Sequence, residues 1–364
     1  MFIKPFHSIK REKPLVIAGP CSAESYEQVL QTAESIAVSS PSVHWFRAGV
    51  WKSRTRPSQF EGIGSEALKW LSQIKALTGL KVCTEVIKPE HIELCLKHGI
   101  DGLWIGARTS TNPFMIEELA KCLQHLKVTK LPLFVKNPLN PDVNLWIGAM
   151  ERFYNVGCED ITAVHRGFSL VDNGKYRQKP LWQVPIELKR LLPDVSVLCD
   201  PSHIAGERQY VYEISQMAMD LSLDGLMIEV HHNPEAAKTD SNQQITPDEL
   251  KSLLEHLNIP NSENRSLSDI TAIRERIDFI DDDIMDFLQK RMAQSEALAR
   301  IKHQENMSLF QPDRWQEVLN DRLLKAKQKG LSQNFIKIIF EQIHEESIKV
   351  QSYAIKKNSL QKEN

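Results

Sequence analysis

Eight short apolar runs punctuate the first two thirds of the chain. Each is followed by a longer stretch in which apolar positions recur with a helical period. The runs are PLVIAGP (14–20), HWFRAGV (44–50), KVCTEVI (81–87), GLWIGAR (102–108), LPLFVKN (131–137), DITAVHR (160–166), SVLCDPS (196–202) and GLMIEVH (225–231). Nearly continuous apolarity suits parallel strands covered on both faces. The intervening stretches, such as SYEQVLQTAESIAV, SEALKWLSQIKAL, PEHIELCLKHG and NPFMIEELAKCLQHL, open on Ser, Pro or Asn-Pro, as helices do. TPDELKSLLEHL follows the last run behind a Thr cap. Eight strand–helix units in about 250 residues predict an α/β TIM (β/α)8 barrel. An open doubly wound sheet would more often carry about five or six strands. Polar residues close the runs: Cys21, Arg47, Glu85, Arg108, Lys136, Arg166, His203 and Glu229. A barrel gathers such strand ends on one face, where active sites sit.

Past this region the pattern changes. The polar segment NIPNSENRS (258–266) reads as a linker, and beyond it helical periodicity runs unbroken with almost no Gly or Pro. Three helices are predicted, from about Ser268 to His303, Pro312 to Gln328 and Gln333 to Tyr353, with Gly330 as a stop between the last two. The expected organisation is a barrel domain (1–257), the linker (258–266), an all-α three-helix domain (267–355) and a flexible tail (356–364).

Composition adds mainly exclusions. The chain has 364 residues, 41% hydrophobic and 25% charged, with a net charge of −2. No global basic field points to nucleic acid. The charged segment Met1–Pro14 does not read as a signal peptide, and no stretch approaches the ~20 apolar residues of a membrane span. A cytoplasmic location with no membrane partner is expected. The six cysteines include no CxxC pair and read as small buried hydrophobes rather than disulfides, Cys21 excepted for its company.

Cys21, His203, Glu229 and Asp240 all lie at or just after strand ends and offer a thiolate, an imidazole and two carboxylates. That donor set suits Mn²⁺, Fe²⁺, Co²⁺ or Zn²⁺ better than Mg²⁺ or Ca²⁺. Arg47, Lys52, Arg54, Arg108, Lys136 and Arg166 would converge on the same face. Their mutual repulsion makes sense if the substrates carry several phosphates and carboxylates.

The motifs Gly19-Pro20-Cys21-Ser22, Lys52-Ser53-Arg54-Thr55, Gly106-Ala107-Arg108-Thr109, the Lys136 strand end, His165-Arg166-Gly167, Asp200-Pro201-Ser202-His203 and Glu229-Val230-His231 occur in that order. Over about residues 14–245 the chain resembles the short, barrel-only DAHP (3-deoxy-D-arabino-heptulosonate 7-phosphate) synthases. The resemblance implies that Cys21, His203, Glu229 and Asp240 hold a divalent metal, Mn²⁺ foremost. It implies that Arg47, Lys52, Arg108, Lys136 and Arg166 bind phosphoenolpyruvate, while Arg54 and Thr55 bind the phosphate end of erythrose 4-phosphate. The resemblance also implies that Glu85 lies beside the reacting centre, and Lys136 is a candidate proton donor. Lys-Ser-Arg-Thr stands where the family usually has Lys-Pro-Arg-Thr. A second barrel family, the KDO8P synthases, joins phosphoenolpyruvate to arabinose 5-phosphate and is the minor alternative.

The helical region carries Arg274, Arg291, Lys302 and Arg314, with Ser347 and Gln351 one turn apart near the end. Arg291 and Lys302 are about three turns apart and so share one helix face. Over 267–355 this resembles the all-helical chorismate mutases. The family implies that these cations and Gln351 grip the carboxylates and ether oxygen of chorismate, with Ser347 nearby. It further implies a site shared across a homodimer, with Arg274 supplied by the partner chain, and a rearrangement to prephenate. Trp315 stands where the family commonly has Glu, and Gln311 where it commonly has an acid. A second reading therefore makes the helical domain a ligand-sensing dimerisation module. Fusion of the two activities also motivates an expectation of feedback inhibition by chorismate or prephenate through the helical domain.

Overall fold

A computed structural model describes residues 14–53, 58–170, 174–260 and 267–360. The chain divides into two compact units, Met1–Asn261 and Ser262–Asn364.

The first unit is a closed barrel of eight parallel strands in sequence order. They are β1 (Leu15–Gly19), β2 (Trp45–Arg47), β3 (Lys81–Val86), β4 (Gly102–Ile105), β5 (Leu133–Lys136), β6 (Ile161–His165), β7 (Ser196–Cys199) and β8 (Gly225–Glu229). β1 pairs with both β2 and β8, which leaves no open edge. Caps form where the sequence places them. Ser25 accepts from the Gln28 amide, Asn112 from those of Phe114 and Met115, and Thr246 and Glu249 form a reciprocal capping box.

The interior is filled by Leu15, Ile17, Trp45, Cys83, Trp104, Phe134, Val164, Leu198 and Met227, nearly all fully buried. The Trp45 and Phe134 rings meet edge to face at 5.3 Å. Successive strand residues face opposite ways, so the residue two further on from each interior side chain also points inward, one layer up. That layer is Gly19, Arg47, Glu85, Gly106, Lys136, Arg166, Asp200 and Glu229. The change from apolar to charged along a single inward face marks where the packed core ends and the site begins. Two glycines make the layer fit. A Cβ at Gly19, whose φ is +144°, would strike the Arg47 carbonyl, and one at Gly106 would strike the Glu85 carboxylate.

The second unit contains three helices among its described residues: Leu267–Gln304, Pro312–Gln328 and Gln333–Leu360. Gly330 takes φ +70° between the last two. The third helix runs on to Leu360, through part of the segment expected to be a tail. No Gly or Pro interrupts Ala354–Leu360, so nothing in the sequence stops the helix at Tyr353. No helix among the described residues is long and apolar enough to cross a membrane.

Candidate functional site

At the mouth of the barrel the donor atoms of Cys21, Glu229 and Asp240 all lie within 4.8 Å of one another. His203 stands beside them, its Nε2 3.8 Å from Glu229 Oε1. Cys21 comes from the loop after β1 and Asp240 from the loop after β8. The two loops are stitched together: Gln244 accepts from the Cys21 amide at 3.0 Å and donates to the Thr239 carbonyl at 2.8 Å. Asp240 itself adopts the left-handed conformation at φ +48°, which Asp tolerates better than most residues. Burial, with the Glu229 carboxylate behind it, pushes the Cys21 thiol up to about 12, and Asp240 acts in the same direction. A buried sulfur crowded by two carboxylates is the situation a bound divalent cation relieves. The residues present therefore fit such an ion.

Around this cluster the cations are held by carboxylates. Arg47 Nη2 donates to Glu229 at 3.0 Å, with both side chains essentially inaccessible. Lys136 Nζ donates to Asp200 at 2.7 Å, likewise buried. Asp200 also caps the short helix Pro201–Ala205 by accepting from the His203 amide, and its other oxygen lies 2.8 Å from His203 Nδ1. One carboxylate thus orients a lysine and a histidine together. Lys52 Nζ reaches Cys21 Sγ at 3.0 Å. Arg177 bonds Asp240 at 3.1 Å and Gln243 at 2.6 Å, and Gln243 donates to Glu229 at 2.6 Å.

Several donors remain over. Arg47 Nε and Nη1 and Arg166 Nη1 are buried and have no hydrogen-bond partner among the described residues. Burial pushes the Arg166 guanidinium down to about 10, with Arg177 and Arg108 acting the same way against Asp200. A cavity of about 230 Å³ opens onto Lys52, Glu85, Arg108, Lys136, Arg166 and His203, among others. Buried donors without acceptors, on guanidinium groups that repel one another, describe an anion site.

The helical unit has its own cavity, of about 180 Å³, lined by Arg291, Lys302, Arg314, Trp315, Ser347 and Gln351 among others. Lys302 donates to the Leu309 carbonyl at 2.7 Å, and Ser347 and Ser295 share a hydrogen bond of 2.6 Å. Arg291 Nη1 and Gln351 Oε1 are buried without partners among the described residues. Arg274 is exposed on the first helix and is not among the residues lining this cavity.

The family model described as the DAHP synthetase I family matches residues 8–263. The chain belongs to that family. The model for chorismate mutase type II matches residues 273–352, and the two together make this a bifunctional shikimate-pathway enzyme. A phospho-2-dehydro-3-deoxyheptonate aldolase of Thermotoga maritima is 28% identical over 242 residues, which is 66% of this chain and 68% of that one. A 2-dehydro-3-deoxyphosphooctonate aldolase of Geobacter sulfurreducens is 25% identical, over 68% of this chain and 92% of its own. The crystal structure of a Thermotoga maritima DAHP synthase superposes with a TM-score of 0.59 at 25% identity, covering 67% of each chain.

Of the residues the synthase resemblance singles out, Cys21, Arg47, Lys52, Glu85, Arg108, Lys136, Arg166, His203, Glu229 and Asp240 lie at one mouth. Arg54 and Thr55 fall outside the described residues. Lys52 stands on the Cys21 sulfur, and Arg108 donates to the Ser53 carbonyl at 2.9 Å. Sequence reasoning named Asp200 within a motif without giving it a role, and passed over Arg177, Gln243 and Gln244. Asp200 carried a usable signal, since it stands two residues beyond the interior Leu198. The other three act through loops whose approach no local pattern announces.

Proposed function

We propose that the barrel condenses phosphoenolpyruvate with erythrose 4-phosphate, dependent on one divalent cation, and that the helical unit rearranges chorismate to prephenate. The observation that carries the first half is the triad Cys21, Glu229 and Asp240 with its donors within 4.8 Å, beside buried guanidinium groups that have unused N–H donors among the described residues. Cys21, Glu229 and Asp240 would hold the cation, with His203 turned toward it by Asp200. When bound, the cation supplies Lewis acidity toward an aldehyde oxygen. Arg47 and Arg166 bind the carboxylate and phosphate of phosphoenolpyruvate through their free donors, and Arg108 and Lys52 complete the cationic rim. The enol carbon attacks the aldehyde, water adds to phosphoenolpyruvate C2, and phosphate leaves by C–O cleavage. Lys136 gives its proton to the new alkoxide. Burial pulls its ammonium below the ordinary range against the opposing pull of Asp200, as a proton donor requires. Glu85 faces the same cavity and orients the attacking water.

In the helical unit Arg291, Lys302 and Arg314 grip the two carboxylates, and Gln351 donates to the ether oxygen. Preorganised charge and selection of a compact conformer then suffice, with no nucleophile. A homodimer is supported by Ile273, Ile277, Ile280, Ile284 and Phe287. Each is at least 50% exposed, and they recur at alternating four- and three-residue steps along the first helix, the spacing of a helix–helix seam. Pairing there places a second Arg274 close to such a seam. Feedback by prephenate on the barrel belongs to the same reading.

The test is an aldol assay with phosphoenolpyruvate, erythrose 4-phosphate and Mn²⁺, before and after EDTA, alongside chorismate loss by the same protein. Loss of the first activity on chelation, its return with Mn²⁺, and an unaffected second activity are expected. Aldol turnover that survives EDTA would refute the metal role. Condensation with arabinose 5-phosphate in preference to erythrose 4-phosphate would overturn the substrate. Adding prephenate to the aldol assay tests feedback, and unchanged kinetics at saturating prephenate would dismiss it.

A further inference from the structure

The helical cavity contains a group that the cation set does not account for. His344, on the helix Gln333–Leu360, lines it together with Arg291 and Arg314. Its ring lies flat on the Trp315 indole, with centroids 4.1 Å apart and planes 12° from parallel, and the Phe310 ring flanks it at 5.8 Å. This packing fixes the imidazole's plane, leaving its Nε2 buried and without a hydrogen-bond partner among the described residues. Three buried polar atoms around this cavity lack partners: Arg291 Nη1, Gln351 Oε1 and His344 Nε2. The first serves a carboxylate. His344 Nε2, on an uncharged ring, asks for an uncharged polar group on the ligand, because an orphaned polar atom in a packed wall is costly unless the ligand satisfies it.

We infer that His344, braced by Trp315, is the specificity residue that hydrogen-bonds the ring hydroxyl of the dianionic ligand. The inference rests on the mutase reading and deepens it. Burial first, then Arg291 and Lys302, lower the proton affinity of the imidazole, so it enters the cavity as a neutral partner rather than as another cation. The Trp315 indole cannot serve as an acidic hydroxyl acceptor would, but it holds flat the ring that can. Discrimination then comes from leaving Nε2 unsatisfied when the hydroxyl is missing.

The experiment uses the full-length protein with chorismate and its 4-deoxy analogue, which keeps both carboxylates and the ether bridge. Turnover is followed for each, and affinity by calorimetry. Wild type is expected to favour chorismate. His344→Phe, which keeps the stack and removes Nε2, should lower kcat/KM for chorismate about ten-fold and leave the analogue within about two-fold. His344→Gln, which restores a hydrogen-bonding atom, should recover part of the preference. His344→Leu is run in parallel and read like the Phe variant, so one folded variant suffices. The analogue serves as internal control, since general damage to the pocket lowers both substrates alike. A chorismate-to-analogue ratio unchanged in the Phe and Leu variants overturns the assignment. Binding with a hydroxyl preference but without turnover removes the mutase reading alone, and the affinity ratio then judges His344. Failure to bind either dianion removes both.

Discussion

In the barrel two of the cations are buried against buried carboxylates; in the helical unit, among the described residues, the cations lie along helix faces with no buried carboxylate paired to them. Arg47 and Lys136 are 1% and 5% exposed, and each is tied to an equally buried carboxylate. Arg314 is 70% exposed and pairs with Glu317, itself 68% exposed. Burial lowers the Arg291 guanidinium, and the neighbouring Arg322 lowers it further. The contrast follows from the chemistry each site is proposed to perform. A condensation that moves charge between two phosphorylated reactants needs fixed ions that survive without substrate, so its deepest cations, Arg47 and Lys136, bring their counter-ions. A rearrangement of one dianion lets the substrate be the counter-ion.

The largest break in this comparison should come from the buried carboxylates. Glu229→Gln removes a proposed metal ligand and the partner of Arg47 in one change. Aldol kcat/KM should fall by about 10³ or more. Unfolding free energy of the barrel should fall by about 3–5 kcal/mol, because a buried guanidinium loses its counter-ion. Arg291→Ala should do the reverse: mutase kcat/KM down by about 10²–10³ with little loss of stability, since no buried partner is stranded. Urea unfolding and the two assays on each variant check this. Equal destabilisation by both changes would erase the distinction. Next in size is Asp200→Asn, which frees Lys136 and lets His203 turn. Aldol activity should drop about 10- to 100-fold, with about 3 kcal/mol lost in stability. Lys136→Met in the Asn background should return part of that stability without activity.

How much of this the sequence carries differs between the same two regions. The barrel strands are legible because parallel strands buried on both faces read as apolar runs, and their inward period of two aligns charged residues above apolar ones. Arg47 above Trp45, Lys136 above Phe134 and Glu229 above Met227 are all readable in that way. Asp200 follows the same rule above Leu198, and in the structure it also caps a short helix. Gln243, Gln244 and Arg177 are illegible locally, because their function is to hold two distant loops together. In the helical unit Arg291 and Lys302 fall on one face by spacing alone. His344 does not stand out, because an isolated histidine on an amphipathic helix looks like any half-buried polar residue until Trp315 is seen against it.

Acidity should separate the two units by a smaller margin. His165 is fully buried beside Trp182 at 5.2 Å, and burial pushes its imidazole down to about 3 from the usual 6.5. The folded-state value is therefore the depressed one. Above pH 6.5 both folded and unfolded chains leave the ring neutral, and stability is whole. As pH falls from there toward 3, the unfolded chain takes a proton that the folded barrel refuses. Each unit then removes about 1.4 kcal/mol, or about 2 kcal/mol between pH 6.5 and 5. His91 and His231, both lowered to about 4, act in the same direction. His165→Gln should flatten the barrel's stability–pH slope by about one proton's worth over that window. An unchanged slope would mean the imidazole is charged in the fold.

The smallest expected effect tests whether the helical cations need any protein counter-ion at all. Arg314 and Glu317 meet at 2.9 Å, one turn apart on the same helix, both largely in water. Such a pair gains little Coulomb energy against the entropy of fixing two long side chains, so Glu317→Gln should change stability by no more than about 0.5 kcal/mol. If Glu317 only idles, mutase KM should stay within about two-fold. If instead it competes with the substrate carboxylate for Arg314, KM should fall, and the fall should shrink as salt screens the pair. A rise in KM would show that Glu317 aims Arg314 as Glu229 aims Arg47. The helical site would then be a shallow version of the barrel's design and no longer its contrast.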